Sequence, residues 1–480
     1  MFPPFLPALV LEDFKPYISE AAMHDSMARY PPPSCHPKTR EKVMKVIRDW
    51  VERSNPHQPI KWLNGPAGAG KSAIAQSIAD HYKDSRLAAS FFFQRGTPDR
   101  GVADRLCLTL AWQLAGSIPE TRSYIEHELE TEGLLNTKSI DVQFDHLIVK
   151  VFKNLLRDRP DLRPEKSLII IDGVDECASE RDQKLLLELI GNSVVHGKIP
   201  LRFLICSRPE PHIEERFDAE AVTNLVHSVV LDERFAPNDD IQRYLEAELW
   251  NIFTKNVSPH PSPAEIQRLV SKSSGQFIYA STAIKFISDD NFNPRTQLDI
   301  ILKLRPASTS APFAELDQLY VQVLSQQPDT KLLRDVFALI IGLGQPDINF
   351  ICRRLQITKD ELLRKLRRMH SLLNISDSNI EVYHRSLHDF FQDRRRAGRY
   401  YIHPARVKLV RLPRNVRRFA ARWGPVLGSM VFALAKLLLL VPFLVVPAIC
   451  VGLITCYKDL DFCSGGIRVL LFPFDAGHVP

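Results

Sequence analysis

The sequence predicts an α/β fold: a parallel sheet with helices on both faces, then a helical region, then an apolar segment of membrane length. Three observations carry this. Four short apolar runs, "IKWLN", "AASFFF", "SLIIID" and "LRFLICS", are separated by helical stretches of 20 residues or more. Continuous apolar strands of this kind belong to parallel sheets covered on both faces. From about residue 236 the pattern turns helical, as in "DDIQRYLEAELWNIF" and "PAEIQRLVSKSSGQFIYASTAIKFI", and residues 437–456 run for 20 positions without a charge.

A chain of 480 residues is long enough for two or three domains with their own cores. Apolar residues at 45% and charged residues at 25% are ordinary for a globular protein. The eight cysteines form no CxxC pair and no zinc-ligand spacing. They read as small apolar groups in a reducing compartment. The net charge of +6 is unevenly spread. Residues 394–422 hold eleven of the 62 basic residues and no acid, which leaves 51 basic against 56 acidic residues, or −5, elsewhere. Nucleic acid is therefore not the expected partner of the body of the chain.

Residues 1–34 are punctuated by proline ("RYPPPSCHP") and read as a flexible lead-in. The sheet core is expected over 35–235. It opens with "TREKVMKVIRDWV", whose apolar residues at 43, 46, 47, 50 and 51 form a helical stripe. A helical lid follows over 236–310. Residues 311–393 change rhythm, with helices "TKLLRDVFALIIGL", "DINFICRRL" and "TKDELLRKLRRM". Thr358 and Glu361 make a capping box for the last of these. "LLNIS" and "IEVYH" flank "DSN", a hairpin signal. Three helices and a hairpin are the parts of a winged helix. No repeat of 20–50 residues is visible.

A basic strip over 394–424 precedes a transmembrane segment over 425–456 and a short tail over 457–480. Twenty helical residues span about 30 Å, the thickness of a bilayer core. Pro442 and Pro447 would kink that helix. A buried core helix, or a strand pair broken at the prolines, is the alternative. Basic residues crowd the N-terminal flank alone, which by the positive-inside rule is expected to leave the body in the cytosol. A single C-terminal span with a short tail would be inserted after synthesis, into the endoplasmic reticulum or outer mitochondrial membrane. The opening "MFPPFLPALVLEDF" has no basic n-region and does not read as a signal peptide.

The chemistry begins at "GPAGAGKS": Gly65, Pro66, Ala67, Gly68, Ala69, Gly70, Lys71 and Ser72. The run fits G-x-x-x-x-G-K-[ST] between a strand and a helix, the context a phosphate-binding loop requires. Glycines let backbone N–H groups curl around phosphate oxygens, with the helix N-terminus adding positive potential. Lys71 would reach the β- and γ-phosphates and Ser72 would bind Mg²⁺. "LIIIDGVDEC" supplies the acid such a site needs. Asp172 ends the apolar run and would share the Mg²⁺, while Asp175 and Glu176 would orient or deprotonate water. The plainer alternative is an acidic turn after a core strand. "LRFLICSRPEPHI" ends a further strand at Ser207 and Arg208, where ligands of such sheets sit. Arg208 would sense the γ-phosphate; otherwise it is a surface arginine.

In order, "WLNGPAGAGKSAIAQSIAD", "LAASFFFQRG", "IIIDGVDEC", "LRFLICSRPEPHI", "SGQFIYASTAIKFI", "LDQLYVQVL" and "VYHRSLHDFF" closely resemble NACHT-domain proteins. These are STAND-class P-loop NTPases, here of the nephrocystin-like fungal type. The resemblance covers residues 35–393. It implies a switch operated by ATP and ADP with Mg²⁺, which opens and self-associates when ATP-bound and resets by slow hydrolysis. Members often place a lid proline against the adenine, where this chain has Phe277. They usually continue into ligand-sensing repeats, where this chain has the apolar segment; its trigger and protein partner are unidentified.

"VYHRSLHDFF" holds two histidines, a serine and an aspartate. Triad members normally come from separate segments, and no third zinc ligand accompanies His384 and His388. Ser386 reads as a helix cap, with His388 and Asp389 structural. The resemblance implies that His384 reaches the β-phosphate of bound ADP. Two other functions fit parts of the sequence. A metabolic P-loop kinase or ATPase would use the same phosphate loop. A DNA-binding regulator would use Arg364, Lys365, Arg367 and Arg368, which otherwise form a solvated helix face.

Overall fold

The computed structural model describes residues 9–411, apart from 54–56, 196–198, 306–312, 328, 344–345 and 376–377. The four apolar runs are strands: β1 (Ile60–Asn64), β2 (Leu87–Phe92), β3 (Leu168–Asp172) and β4 (Arg202–Ser207). A fifth, β5 (Val226–Val230), has no continuous apolar run because it is an edge strand with polar His227 and Ser228. All five run parallel in the order β2-β3-β4-β1-β5.

Alternate residues of each strand feed two different cores, as period-2 geometry requires. Ile169 and Ile171 join one core with Trp62, Phe91, Phe203 and Ile205. Leu168 and Ile170 join the other with Leu63, Leu204 and Val229. The second core is closed by Ile74 and Ile78 of helix Lys71–Tyr82 and by Val43, Ile47 and Trp50 of helix Glu41–Glu52. Helices Leu106–Ser117 and Glu180–Val195 close the first. Each buried Leu or Ile contributes about 1.5–3 kcal/mol through lost apolar exposure.

The register brings functional positions to one edge. Phe92 pairs with Asp172, Asp172 with Cys206, and Leu63 with Cys206. The loop after β1, the acid on β3 and the arginine after β4 therefore emerge side by side at the strand C-termini.

The expected flexible lead-in is largely packed. Ile18 and Ala22 are buried in the same core as β2. The Ser19 N–H donates to Thr109 Oγ1 at 2.8 Å and the His24 N–H to Ser90 Oγ at 3.0 Å. Its prolines prevent a long helix, but side chains of the core satisfy its backbone instead.

Beyond β5 the described chain is helical up to a small hairpin. Helix Pro263–Ser273 starts with a full capping box, Ser262 with Glu265. Helix Phe277–Ile287 follows, then Pro294–Lys303, Ala314–Ser325, Thr330–Leu343, Ile348–Leu355 and Lys359–Leu366. At Thr358 only half of the predicted box forms: Thr358 Oγ1 accepts from Glu361 N at 3.1 Å. Antiparallel β6 (Leu373–Ile375) and β7 (Ile380–Val382) precede helix Ser386–Gln392. Chain up to Tyr401 forms one compact unit, and a second begins at Ile402 with helix Pro404–Arg411.

The segment expected to cross the membrane, 425–456, and the tail 457–480 lie outside the described residues. Among the described residues no helix is long and apolar enough to cross a membrane. Among the described cysteines all five are free, and Cys107, Cys177 and Cys206 are buried.

Candidate functional site

Gly65 to Gly70 form a tight loop between β1 and helix Lys71–Tyr82. Gly68 (φ +76°) and Gly70 (φ +89°) are left-handed, a conformation that costs other residues about 1–2 kcal/mol. The loop is closed from two sides. Ile278, in the first turn of helix Phe277–Ile287, donates its N–H to Gly68 O at 3.3 Å, and a methyl on Gly68 would overlap Ile278 Cγ2. Arg40 Nη2 donates to Ala69 O at 2.6 Å while the guanidinium covers the Phe277 ring at 4.6 Å.

Lys71 Nζ donates to Gly65 O at 2.7 Å and Pro66 O at 3.0 Å. Burial lowers its pKa, partly opposed by Asp175. Ser72 hydrogen-bonds Asp172, whose carboxyl burial raises to about 6 against that bond and the charges of Arg29 and Lys71. Among the described residues there is no group of three or more metal-ligating side chains. Magnesium needs none, since it binds through one or two protein oxygens plus phosphates and waters. The Ser72 hydroxyl and Asp172 carboxylate are such a pair, so these residues fit the ion.

Asp175 is not free to face a ligand. Its Oδ1 accepts from the Arg208 N–H at 3.0 Å and its Oδ2 from Arg385 Nη1 at 2.6 Å. Glu176 accepts from the Arg95 N–H at 3.3 Å, and burial, followed by the Asp175 charge, raises it to about 7. Arg208 Nη1 pairs with Asp389 at 2.8 Å. Asp389, expected to be structural, thus holds a site residue.

His384 lines the same cavity of about 680 Å³ as Lys71, Asp172 and Arg208. Its Nδ1 accepts from the Ser386 N–H at 3.0 Å and lies 2.6 Å from Ser386 Oγ, which meets Tyr320 OH at 2.8 Å. Burial, then the charges of Arg208 and Lys71, lowers His384 to about 3, so the ring is neutral. A neutral ring accepting at Nδ1 carries its proton on Nε2, and that nitrogen is a donor. Ser386 does not cap its helix: it is the first helical residue, and its hydroxyl serves His384 and Tyr320. His388 is buried, and its Nε2 has no partner among the described residues.

The structure therefore brings together every site residue expected from the sequence. It adds Arg29, Arg40, Arg100, Tyr320, Arg385 and Asp389. Arg385 and Asp389 lie inside the quoted run "VYHRSLHDFF", but nothing local marks their partners 210 and 181 positions away, Asp175 and Arg208. Arg29 lies in a segment whose prolines masked its packing.

The family model described as Nephrocystin 3, N-terminal, matches residues 39–208. No curated protein matches the chain. Solved structures overlap it weakly. AMPPCP-bound DnaA from Aquifex aeolicus shares 11% identity over 74% of this chain and 91% of its own, with a TM-score of 0.30. Cdc6p from Pyrobaculum aerophilum shares 10% over 75% and 94%, at 0.33. The Aeropyrum pernix Orc1 protein in complex with DNA shares 13% over 72% and 88%, at 0.30. Overlaps this weak add nothing to the topology. The family match, the glycine loop on β1 and the acid on β3 identify residues 39–208 as a nephrocystin-like P-loop NTPase core of the NACHT/STAND kind.

Proposed function

We propose that the chain is a signalling switch operated by ATP and ADP, with residues 311–393 acting as a winged-helix latch on the NTPase core. One observation carries this reading: Arg385 and Asp389 ion-pair with Asp175 and Arg208, the two core residues assigned to water and to the γ-phosphate. A latch that occupies these side chains holds the core at rest. Gly65 to Ser72 would bind the phosphates, Ser72 and Asp172 would hold Mg²⁺, and the ion would supply charge neutralisation between the phosphates. His384 Nε2 would donate to the diphosphate. Opening frees Asp175, Glu176 and Arg208 for slow hydrolysis and exposes a surface for self-association.

DNA binding by the basic helix is disfavoured. Lys365 lies 3.4 Å from Asp329 and 3.5 Å from Glu361, and Arg368 covers Phe292 at 5.6 Å. A metabolic kinase would need its catalytic acid unencumbered. We place the membrane anchor in 425–456 on its apolar length and basic flank; deletion of 425–480 should release the protein from membranes, and unchanged fractionation would refute the anchor.

The decisive experiment is purification of the chain and identification of its bound nucleotide. ADP in the wild type, lost in Lys71→Ala, supports the switch. No nucleotide, or retention by the variant, rejects it.

A further inference from the structure

Two arginines of the cavity make no close ion pair among the described residues, although Glu381 and Glu176 act on Arg100 and Asp172 on Arg29 from the cavity lining. Arg29 comes from the segment before the family match, and its Nη1 is fully used. It donates to Met23 O at 3.3 Å, His24 O at 3.2 Å and Gln76 Oε1 at 2.7 Å. Gln76 belongs to the helix that follows the phosphate loop. The guanidinium carbon lies over Phe92, 3.6 Å from the ring centre. Among the described residues its hydrogen bonds all use Nη1, and Nε and Nη2 are further donors.

Arg100 sits on the loop after β2, anchored by Gln94 N donating to Arg100 O at 2.9 Å. Its side chain is only 6% exposed and lines the same cavity as Arg29. Among the described residues neither arginine makes an ion pair, and the Arg100 guanidinium makes no hydrogen bond. Burial, opposed by Asp172 and reinforced by the positive charge of Arg100, lowers Arg29 to about 10, so it remains charged at neutral pH.

Burying one unpaired charge is costly, and burying two like charges near each other is costlier. The carboxylates of Glu381, Glu176 and Asp172 offset these charges only at a distance, and an anion between the two guanidiniums would pair with both directly. Their place identifies which anion. Arg100 follows β2 and Arg29 packs on Phe92 of β2, the strand beyond β3, while β4 separates β3 from the strand of the phosphate loop. They thus lie on the far side of Asp172 from the loop that would hold a diphosphate.

We propose that Arg29 and Arg100 form a second phosphate-binding wall across the cavity, which takes the terminal phosphate of a nucleoside triphosphate. The proposal rests on the nucleotide reading above. It assigns the first discrimination between triphosphate and diphosphate to this pair, because in the latched arrangement Arg208 is committed to Asp175 and Asp389.

The test is calorimetric titration of the full chain, with Mg²⁺, by a non-hydrolysable ATP analogue, by ADP and by inorganic phosphate. Arg100→Gln and Arg29→Gln should each weaken the triphosphate by about tenfold to a hundredfold, the worth of a charge-assisted hydrogen bond. ADP affinity should stay within about twofold, and Arg100→Lys should restore part of the loss. Equal losses for both nucleotides, or none for either, overturn the wall. Arg29 also holds its own segment, so Arg100→Gln decides if Arg29→Gln unfolds. If the wild type binds no nucleotide, the nucleotide reading falls. Phosphate binding that depends on Arg100 in that case upholds the anion wall, and its absence overturns it.

Discussion

Arg385 Nη1 lies 2.6 Å from Asp175 Oδ2, joining two residues 210 positions apart. The same nitrogen donates to Asp175 O at 2.9 Å. Side-chain exposures of 10% and 4% make this a buried pair. Breaking a buried pair from one side costs about 3–5 kcal/mol, because the remaining charge is stranded. Arg208 stays beside Asp175, so Arg385→Ala should cost less, about 2 kcal/mol. Adding Asp175→Ala should restore part of it. A double-mutant cycle in urea measures the coupling; additive losses would show that the pair holds nothing.

His384→Ala tests the donor on Nε2. The variant should release ADP faster while still binding ATP. Stopped-flow release of a fluorescent ADP analogue reads this directly. An unchanged release rate would leave His384 as a packing residue that orders Ser386 and Tyr320.

Glu176 predicts a pH dependence. An unfolded glutamate titrates near about 4.3, whereas burial and Asp175 raise this one to about 7. Between those values the folded chain keeps a proton that the unfolded chain has released, so stability falls as pH rises from about 4 to about 7. Asp172, raised to about 6, acts in the same direction over a narrower window. Glu176→Gln should therefore reduce the slope without abolishing it. Urea midpoints across that range decide; a wild-type slope in the variant would assign the effect elsewhere.

Gly68→Ala should pry the lid from the loop. The left-handed backbone alone costs about 1–2 kcal/mol, and the new methyl meets Ile278 Cγ2. Amide exchange over Phe277–Ile287 should quicken, and adding Ile278→Ala should recover the steric part. Unaltered exchange in Gly68→Ala would show that the lid does not rest on the loop.

The sheet and its phosphate loop were legible because they obey local rules. A strand covered on both faces is apolar without interruption, and a phosphate loop has a fixed spacing. β5 escaped because an edge strand mixes Val226 with His227 and Ser228. Asp175 was legible as an acid just after an apolar strand but not as a partner of Arg385, since a long-range ion pair leaves no periodic trace. Arg29 was illegible for the opposite reason. Proline punctuation looks the same in a loose tail and in a strap whose backbone is satisfied by Ser90 and Thr109.

The separation of Asp175 from Arg385 also sets an order of events at the ribosome. At about 5–20 residues per second, 210 residues take roughly 10–40 s to synthesise. For that interval the newborn sheet and its glycine loop are on hand without the restraint that Arg385 and Asp389 later impose. On the proposed reading the first nucleotide would meet an unlatched site, and the segment that carries Arg385 and Asp389 would close on it only afterwards.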